Sequence, residues 1–294
     1  MHSQNGEDGV LEAIFSEVGL QASNGPPSRS LYDVSSDAGG TYVEFGVEDG
    51  VECNTRVLRE EFGWSGLLMD GGHSNAAMGL QQEWISRENI NGLLSKHGVG
   101  ASFDLLVIDI DFNDFYVWQA LLTEAKHRAR VVVVEINSNL GPDVSRTVTS
   151  VAEHTCNVCV LCPCSPTVCR GRYNASHQWS GGRYYGMSVK AAWKLGRAHG
   201  YALVYCESHG VNCVFVREDV LLESAMRHAG FAQSVGDLAG SPRDKLMAFS
   251  STRSVLEALA PEVVYRPPNY FGTNEGLKAL APGAIDVPHA WVDV

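Results

Sequence analysis

Two stretches of this chain, Phe103–Asp111 (FDLLVIDID) and Arg130–Asn137 (RVVVVEIN), are apolar without alternation and finish on carboxylates or an amide. A strand wetted on one face alternates apolar and polar residues, and a strand covered on both faces does not. These runs therefore predict central strands of a parallel sheet held between helices. Residues 41–46 and 66–70 predict two more strands. Apolar residues at helical spacing supply the covering layers. Val10, Leu11, Ile14, Phe15 and Val18 mark a helix over 3–19 stopped by Gly19, and 53–62 is stopped by Gly63. Residues 115–126 turn Val117, Trp118, Leu121 and Leu122 inward. Ser188 is placed to cap a helix carrying Val189, Ala192, Trp193 and Leu195, with Gly200 as its stop.

The last two strands narrow the topology. Tyr201–Cys206 and Val211–Val216 are separated only by Glu207-Ser208-His209-Gly210. A parallel crossover needs a dozen or more residues, so this pair must be an antiparallel hairpin. The fold expected is α/β: a Rossmann-like sheet, mostly parallel, with a C-terminal antiparallel hairpin. That is the arrangement of class I methyltransferases, whereas plain dinucleotide-binding sheets continue in parallel. If the parallel pattern holds between the second strand and Phe103, residues 71–103 carry a helix, a strand and another helix; the fit is tight, so that strand is expected to be short, near 83–86, or absent. Residues 138–183 read as irregular. The domain division expected is a main domain over 1–220, interrupted by a cysteine-rich insertion at about 150–175, with 221–294 an extension packed on it.

At 294 residues the chain is long enough to bury a sizeable core. Its formal net charge of −12 argues against nucleic acid as partner, since phosphate binding needs a basic stripe. No apolar run approaches a membrane span, and no basic segment followed by an apolar core opens the chain. The expectation is a cytoplasmic protein with no membrane partner, although the chain begins almost on its first motif, as a chain missing its natural start would. Of eight cysteines, Cys53, Cys206 and Cys213 read as buried small hydrophobes. Cys156, Cys159, Cys162, Cys164 and Cys169 cluster around Pro163 and Pro166. Zinc or iron–sulfur ligation and redox pairing are open there beside an incidental loop, but no matching ligand pair completes a known finger.

Chemistry gathers at the predicted strand tips. Tyr42–Gly50 (YVEFGVEDG) reads strand, acid, then a turn with glycines at 46 and 50, and Gly66–Asp70 (GLLMD) ends a second strand on an acid. In open α/β sheets such glycines let backbone approach a nucleoside while the second-strand acid accepts from ribose. A dinucleotide loop would need glycine at 48, where Glu48 stands. Glu48 and Asp49 would repel a pyrophosphate and would attract the sulfonium and ammonium of S-adenosylmethionine. Glu44, Asp70, Asp109, Asp111, Glu135 and Asn137 all fall at strand ends, the edge where such sheets bind ligands. Asp109-Ile110-Asp111-Phe112-Asn113-Asp114 fails as a calcium loop, with Asp114 at the sixth position and Ala120 at the twelfth. As a D-x-D pair it admits a metal-dependent glycosyltransferase, a scheme that leaves the glycine turn without a role. No G-x-S-x-G, Walker loop or H-E-x-x-H is present. His177 and His209 fall in loops near the ligand edge as candidate bases.

These blocks resemble the FkbM-like S-adenosylmethionine-dependent methyltransferases, in particular a bacterial and algal-type subgroup. The resemblance runs through 3–9 (SQNGEDG), 42–55, 63–70, 88–94 (ENINGLL), 104–118 (DLLVIDIDFNDFYVW), 130–143, 184–201 and 210–219. It implies methyl transfer to a hydroxyl oxygen of a small or sugar-like acceptor. It also implies that Glu44, Gly46 and Gly50 line the methionine part of the cofactor beside Glu48, that Asp70 holds the ribose, and that Asp109 and Asp111 face the sulfonium and acceptor. Asp111 is expected to position the acceptor with Glu135 behind it, and no metal is assigned. Phe112 stands where the family usually has glycine, so a reshaped loop is expected there, and 71–84 is shorter than usual. A degenerate fold that keeps its core but has lost the adenine pocket, serving as a scaffold, is the non-catalytic alternative.

Overall fold

The computed structural model describes residues 3, 5–20, 39–148, 184–207, 209–228 and 291–294. Its main sheet is built from β1 (Thr41–Phe45), β2 (Ser65–Asp70), β3 (Leu80–Gln82), β4 (Ser102–Ile108) and β5 (Arg128–Glu135). After β6 (Arg146–Val148), which lies outside that sheet, β7 (Tyr201–Cys206) and β8 (Asn212–Arg217) complete it. The spatial order is β3-β2-β1-β4-β5-β8-β7, with the first five strands parallel and the last two antiparallel. This is a Rossmann-like α/β sheet. The returning strand β8 inserts between β5 and β7, so the hairpin is part of the sheet.

The unalternating runs divide cleanly between two layers. Leu105, Val107, Val131 and Val133 face a cluster with Leu11, Phe15 and Val18 of α1 (Glu7–Val18) and Leu58 of α2 (Arg56–Phe62). Leu106, Ile108, Val132 and Val134 face the opposite cluster. It is formed by Leu94 of α3 (Ile90–Lys96), Trp118 and Leu121 of α4 (Asp114–Glu124), and Ala192 and Leu195 of α5 (Val189–Ala198). Each fully buried Val or Leu contributes about 1.5–3 kcal/mol, so the central pair β4–β5 is the mechanical anchor for whatever its tips carry. Ser188 Oγ accepts from the Ala191 N–H at 3.2 Å and caps α5 as expected.

Several expectations need correction. No helix joins β2 to β3: residues 71–79 form a turn closed by the Asn75–Leu80 bridge, and β3 sits at 80–82 instead of 83–86. A three-residue strand beside β2 needs only a short return, which is why the expected crossover helix is missing. The irregular segment after β5 contains β6, paired antiparallel with β9 (Trp291–Asp293). On α5, Trp193 is 39% exposed, with the Arg197 guanidinium 5.4 Å from its ring centre. Cys206 and Cys213 form a disulfide between the paired strands β7 and β8. The two are therefore paired through sulfur instead of serving as separate small hydrophobes. Cys53 is buried and free as expected. The Cys156–Cys169 cluster and His177 lie outside the described residues. Beyond β8, α6 (Glu218–His228) reaches α1 through Ser224 Oγ, which donates to the Glu17 carbonyl at 2.8 Å. Among the described residues no helix is long and apolar enough to cross a membrane.

Candidate functional site

β1, β2, β4 and β5 are parallel, so their acidic ends arrive on one edge, where a cleft of about 470 Å³ opens. Nine carboxylates line it. Glu44, Asp70, Asp109, Asp111 and Glu135 come from the strand ends, Glu48, Asp49 and Glu52 from the turn after β1, and Glu7 from the start of α1. Among the described residues no lysine, arginine or histidine lines it. Trp84 and Ile85 provide an apolar wall beside Asp70.

Two of these acids, Glu44 and Asp70, are each held by three or more protein donors. Glu44 is buried, and its carboxylate accepts from the Asn54 N–H at 2.7 Å, the Thr55 N–H at 3.0 Å and the Thr55 hydroxyl. It ties the end of β1 to the start of α2, so its oxygens serve the loop before they serve a ligand. Burial raises its pKa above the usual range despite those donors. Asp70 Oδ2 accepts from the Glu48 N–H at 3.0 Å. Its Oδ1 takes the Gly72 N–H at 2.8 Å, the His73 N–H at 3.0 Å and the His73 ring at 2.9 Å. Four donors fill the acceptor positions of a carboxylate. A ribose hydroxyl would have to replace the His73 ring, whose side chain is 54% exposed.

The two glycines of the turn have different duties. Gly46 lines the cleft, but its φ of 80° and the Asp109 carbonyl, 1.3 Å from where a Cβ would stand, demand glycine for a protein-internal reason. Gly50 (φ 79°) packs its bare Cα against the Met78 sulfur and does not line the cleft. Its expected cofactor contact is therefore corrected.

At the tips of β4 and β5 the acids lack such support. One oxygen from each of Asp109, Asp111 and Glu135 lies within 4.8 Å of the others. Glu135 is 6% exposed; the Asp111 N–H donates to its carboxylate, yet Oε2 has no partner. Burial, then Asp114 and Asp111, pushes Asp109 well above the carboxylate range, and burial, then Asp109 and Asp114, does the same to Glu135. Asp111 is raised by burial and then by Glu48 and Asp70. Beneath them Asp114, wholly buried, is pushed up to about 7 by burial, although its Oδ1 accepts from the Ile110 N–H at 2.9 Å. Asp111 takes the left-handed conformation (φ 63°), while Phe112 is buried with its ring edge toward Tyr184.

Several lining residues escaped the sequence reading, among them Glu7, Glu52, Trp84 and Asn212. Asn212 on β8 pairs in register with Glu135 and is 4% exposed. Its Nδ2 donates to Glu7 Oε1 at 2.9 Å, and its Oδ1 has no partner. Glu7 stood within the quoted SQNGEDG block, which was the available signal. Nothing local marks Asn212. Asn137 is buried below the edge: its Nδ2 donates to the Tyr185 carbonyl and its Oδ1 holds the Asn139 N–H. His209 contacts Glu207 at 3.2 Å, is 67% exposed and does not line the cleft, so it is not placed as a base there. No protein-family model matches the chain, and no curated protein matches it significantly.

Proposed function

We propose that this protein is a class I, FkbM-like methyltransferase that binds S-adenosylmethionine and methylates a hydroxyl of a small or sugar-like acceptor. The observation that carries this reading is the cleft at the strand tips, lined by nine carboxylates and, among the described residues, no cationic side chain. A sulfonium with an ammonium would be attracted there, and the glycine turn after β1 has no role in a glycosyl-transfer scheme. The strand order, with β8 inserted beside β5, supports the same class.

The cofactor would supply an electrophilic methyl carbon. The chain's task is to hold an acceptor oxygen about 3 Å from that carbon, in line with its bond to sulfur. Trp84 offers a face for adenine, Asp70 offers the ribose an acceptor in exchange for His73, and Glu48 and Asp109 supply negative charge for the sulfonium end. As the new C–O bond forms and the C–S bond breaks, the hydroxyl proton passes to Asp111 or Glu135. Burial raises the affinity of both for a proton, which favours that transfer.

Calorimetric titration of the full chain with S-adenosylmethionine tests this. Micromolar binding is expected, weakened about tenfold in Trp84→Ala by the lost stacking and abolished in Asp70→Ala. Folded protein that gives no heat of binding overturns it. The scaffold reading would then stand, favoured by the four protein donors already on Asp70 and the turn that replaces a helix after β2.

A further inference from the structure

The tips of β4 and β5 hold more unsatisfied oxygen than methyl transfer requires. An ion coordinated at about 2.1–2.5 Å can bridge oxygens lying within 4.8 Å of one another, as those of Asp109, Asp111 and Glu135 do. A cluster of acids is common without an ion, so the second observation decides. Glu135 Oε2 and Asn212 Oδ1 belong to side chains that are 6% and 4% exposed, both line the cleft, and neither has a hydrogen-bond partner. They sit opposite each other in the β5–β8 register. Asn212 spends its Nδ2 on Glu7 Oε1, which commits its carbonyl oxygen, not its amine, as the unpartnered group. Two buried acceptors without donors beside two further carboxylates lack one thing, a cation. No lysine, arginine or histidine among the described cleft residues supplies it.

We propose that Asp109, Asp111 and Glu135, completed by the Asn212 carbonyl, bind one hard divalent cation, Mg²⁺ or Mn²⁺. The donor set is all oxygen, which selects such ions over zinc or copper. The ion offsets the repulsion among the three carboxylates and gives the two buried acceptors a partner. Its remaining positions face the cleft, open to water or to an oxygen-bearing ligand. That an acceptor hydroxyl occupies one of them rests on the methyl-transfer reading, and with the ion bound Asp111 and Glu135 hold the metal and no longer serve as its base; the ion site itself does not rest on that reading.

Titration of the metal-stripped full chain with MnCl₂ at pH 7.5, followed by the loss of the free-Mn²⁺ electron paramagnetic resonance signal, is the test. One saturable site is expected, with competition by MgCl₂ and a rise in melting temperature on Mn²⁺ addition. Glu135→Gln and Asn212→Leu should each weaken binding at least about tenfold, a loss of the size reported for ligand-sphere changes. Glu135→Gln removes one repelling charge, so it is expected to fold. No saturable site, or a site untouched in both variants, overturns the proposal. A parallel titration with S-adenosylmethionine without metal separates the two claims. Cofactor binding without Mn²⁺ binding ends the ion site alone, and Mn²⁺ binding without cofactor binding ends the methyltransferase alone.

Discussion

β4 and β5 carry buried charge at both ends, and the two ends treat it in opposite ways. At their N-terminal ends Arg130 Nη1 donates to Asp104 Oδ1 at 3.0 Å, with both side chains almost wholly buried. Asp104 Oδ2 is taken by the Thr41 N–H and hydroxyl, and Arg130 Nη1 and Nη2 also donate to the Gly19 and Val18 carbonyls at the end of α1. At the C-terminal ends Asp109, Asp111 and Glu135 face one another without a cation, and Asp114 lies buried beneath. The first end is closed by the protein itself. The second is left for something that comes from outside. A buried acid is therefore a poor pointer to function by itself. The informative feature is whether the chain supplies its partner.

Removing the partner at the closed end should have the largest effect. Arg130→Met takes the cation away from the buried Asp104 carboxylate and the guanidinium donors away from the Val18 and Gly19 carbonyls. The expected loss is about 3–5 kcal/mol in urea unfolding. Adding Asp104→Leu removes the orphaned charge, and the double variant should recover most of that loss. A single variant as stable as the native chain would show that the closed end is not held by its ion pair.

The open end predicts the opposite response to acid. Asp114 has an ordinary pKa of 3.8 that the fold raises to about 7. A carboxyl raised in the folded state adds stability that is complete below 3.8 and lost as pH climbs through about 7. Asp109 and Glu135 act with the same sign. In the absence of divalent ions the urea midpoint should therefore rise between pH 7.5 and pH 5. Glu83, whose pKa is lowered by Lys96 and His97, gives up its contribution only below that window. Asp109→Asn removes a buried charge that repels Asp114 and Asp111, so it should raise the urea midpoint at pH 7.5 and flatten the pH dependence. A midpoint that falls with acidification across this range would mean that these acids are ionised and supported after all.

The sequence made the two ends unequally legible. Unalternating runs ending in acids place Asp109, Asp111 and Glu135 at strand tips, because a period-free apolar stretch has few other fates, and the four-residue link forces the β7–β8 hairpin. What the runs hide is pairing across the sheet. Asn212 meets Glu135 only because β8 folds back beside β5, and Cys206 bonds Cys213 for the same reason. The β6–β9 pair joins residues nearly the whole C-terminal half apart, with no local period to announce it. Asp104 and Arg130 sit inside the same apolar runs that predicted the strands, where a charge is masked by its neighbours. The turn over 71–79 was missed by assuming that every parallel connection needs a helix, which a three-residue strand does not.

Glu44 sharpens the contrast, since it lies at the open edge yet is supported as the closed end is. Its donors come from Asn54 and Thr55, at the start of α2, and Thr55 is wholly buried. Thr55→Val keeps the shape of that side chain and removes one hydroxyl from a carboxylate that retains two backbone donors. The expected loss is about 1–2 kcal/mol, smaller than for Arg130→Met because no charge is left without a partner. Glu44 is not one of the three clustered acids, so Mn²⁺ binding should be unchanged in this variant while the urea midpoint falls. If stability and Mn²⁺ affinity fell together, Glu44 would belong with the unsupported acids, and the boundary between the supported and open parts of this edge would have to be drawn on the other side of β1.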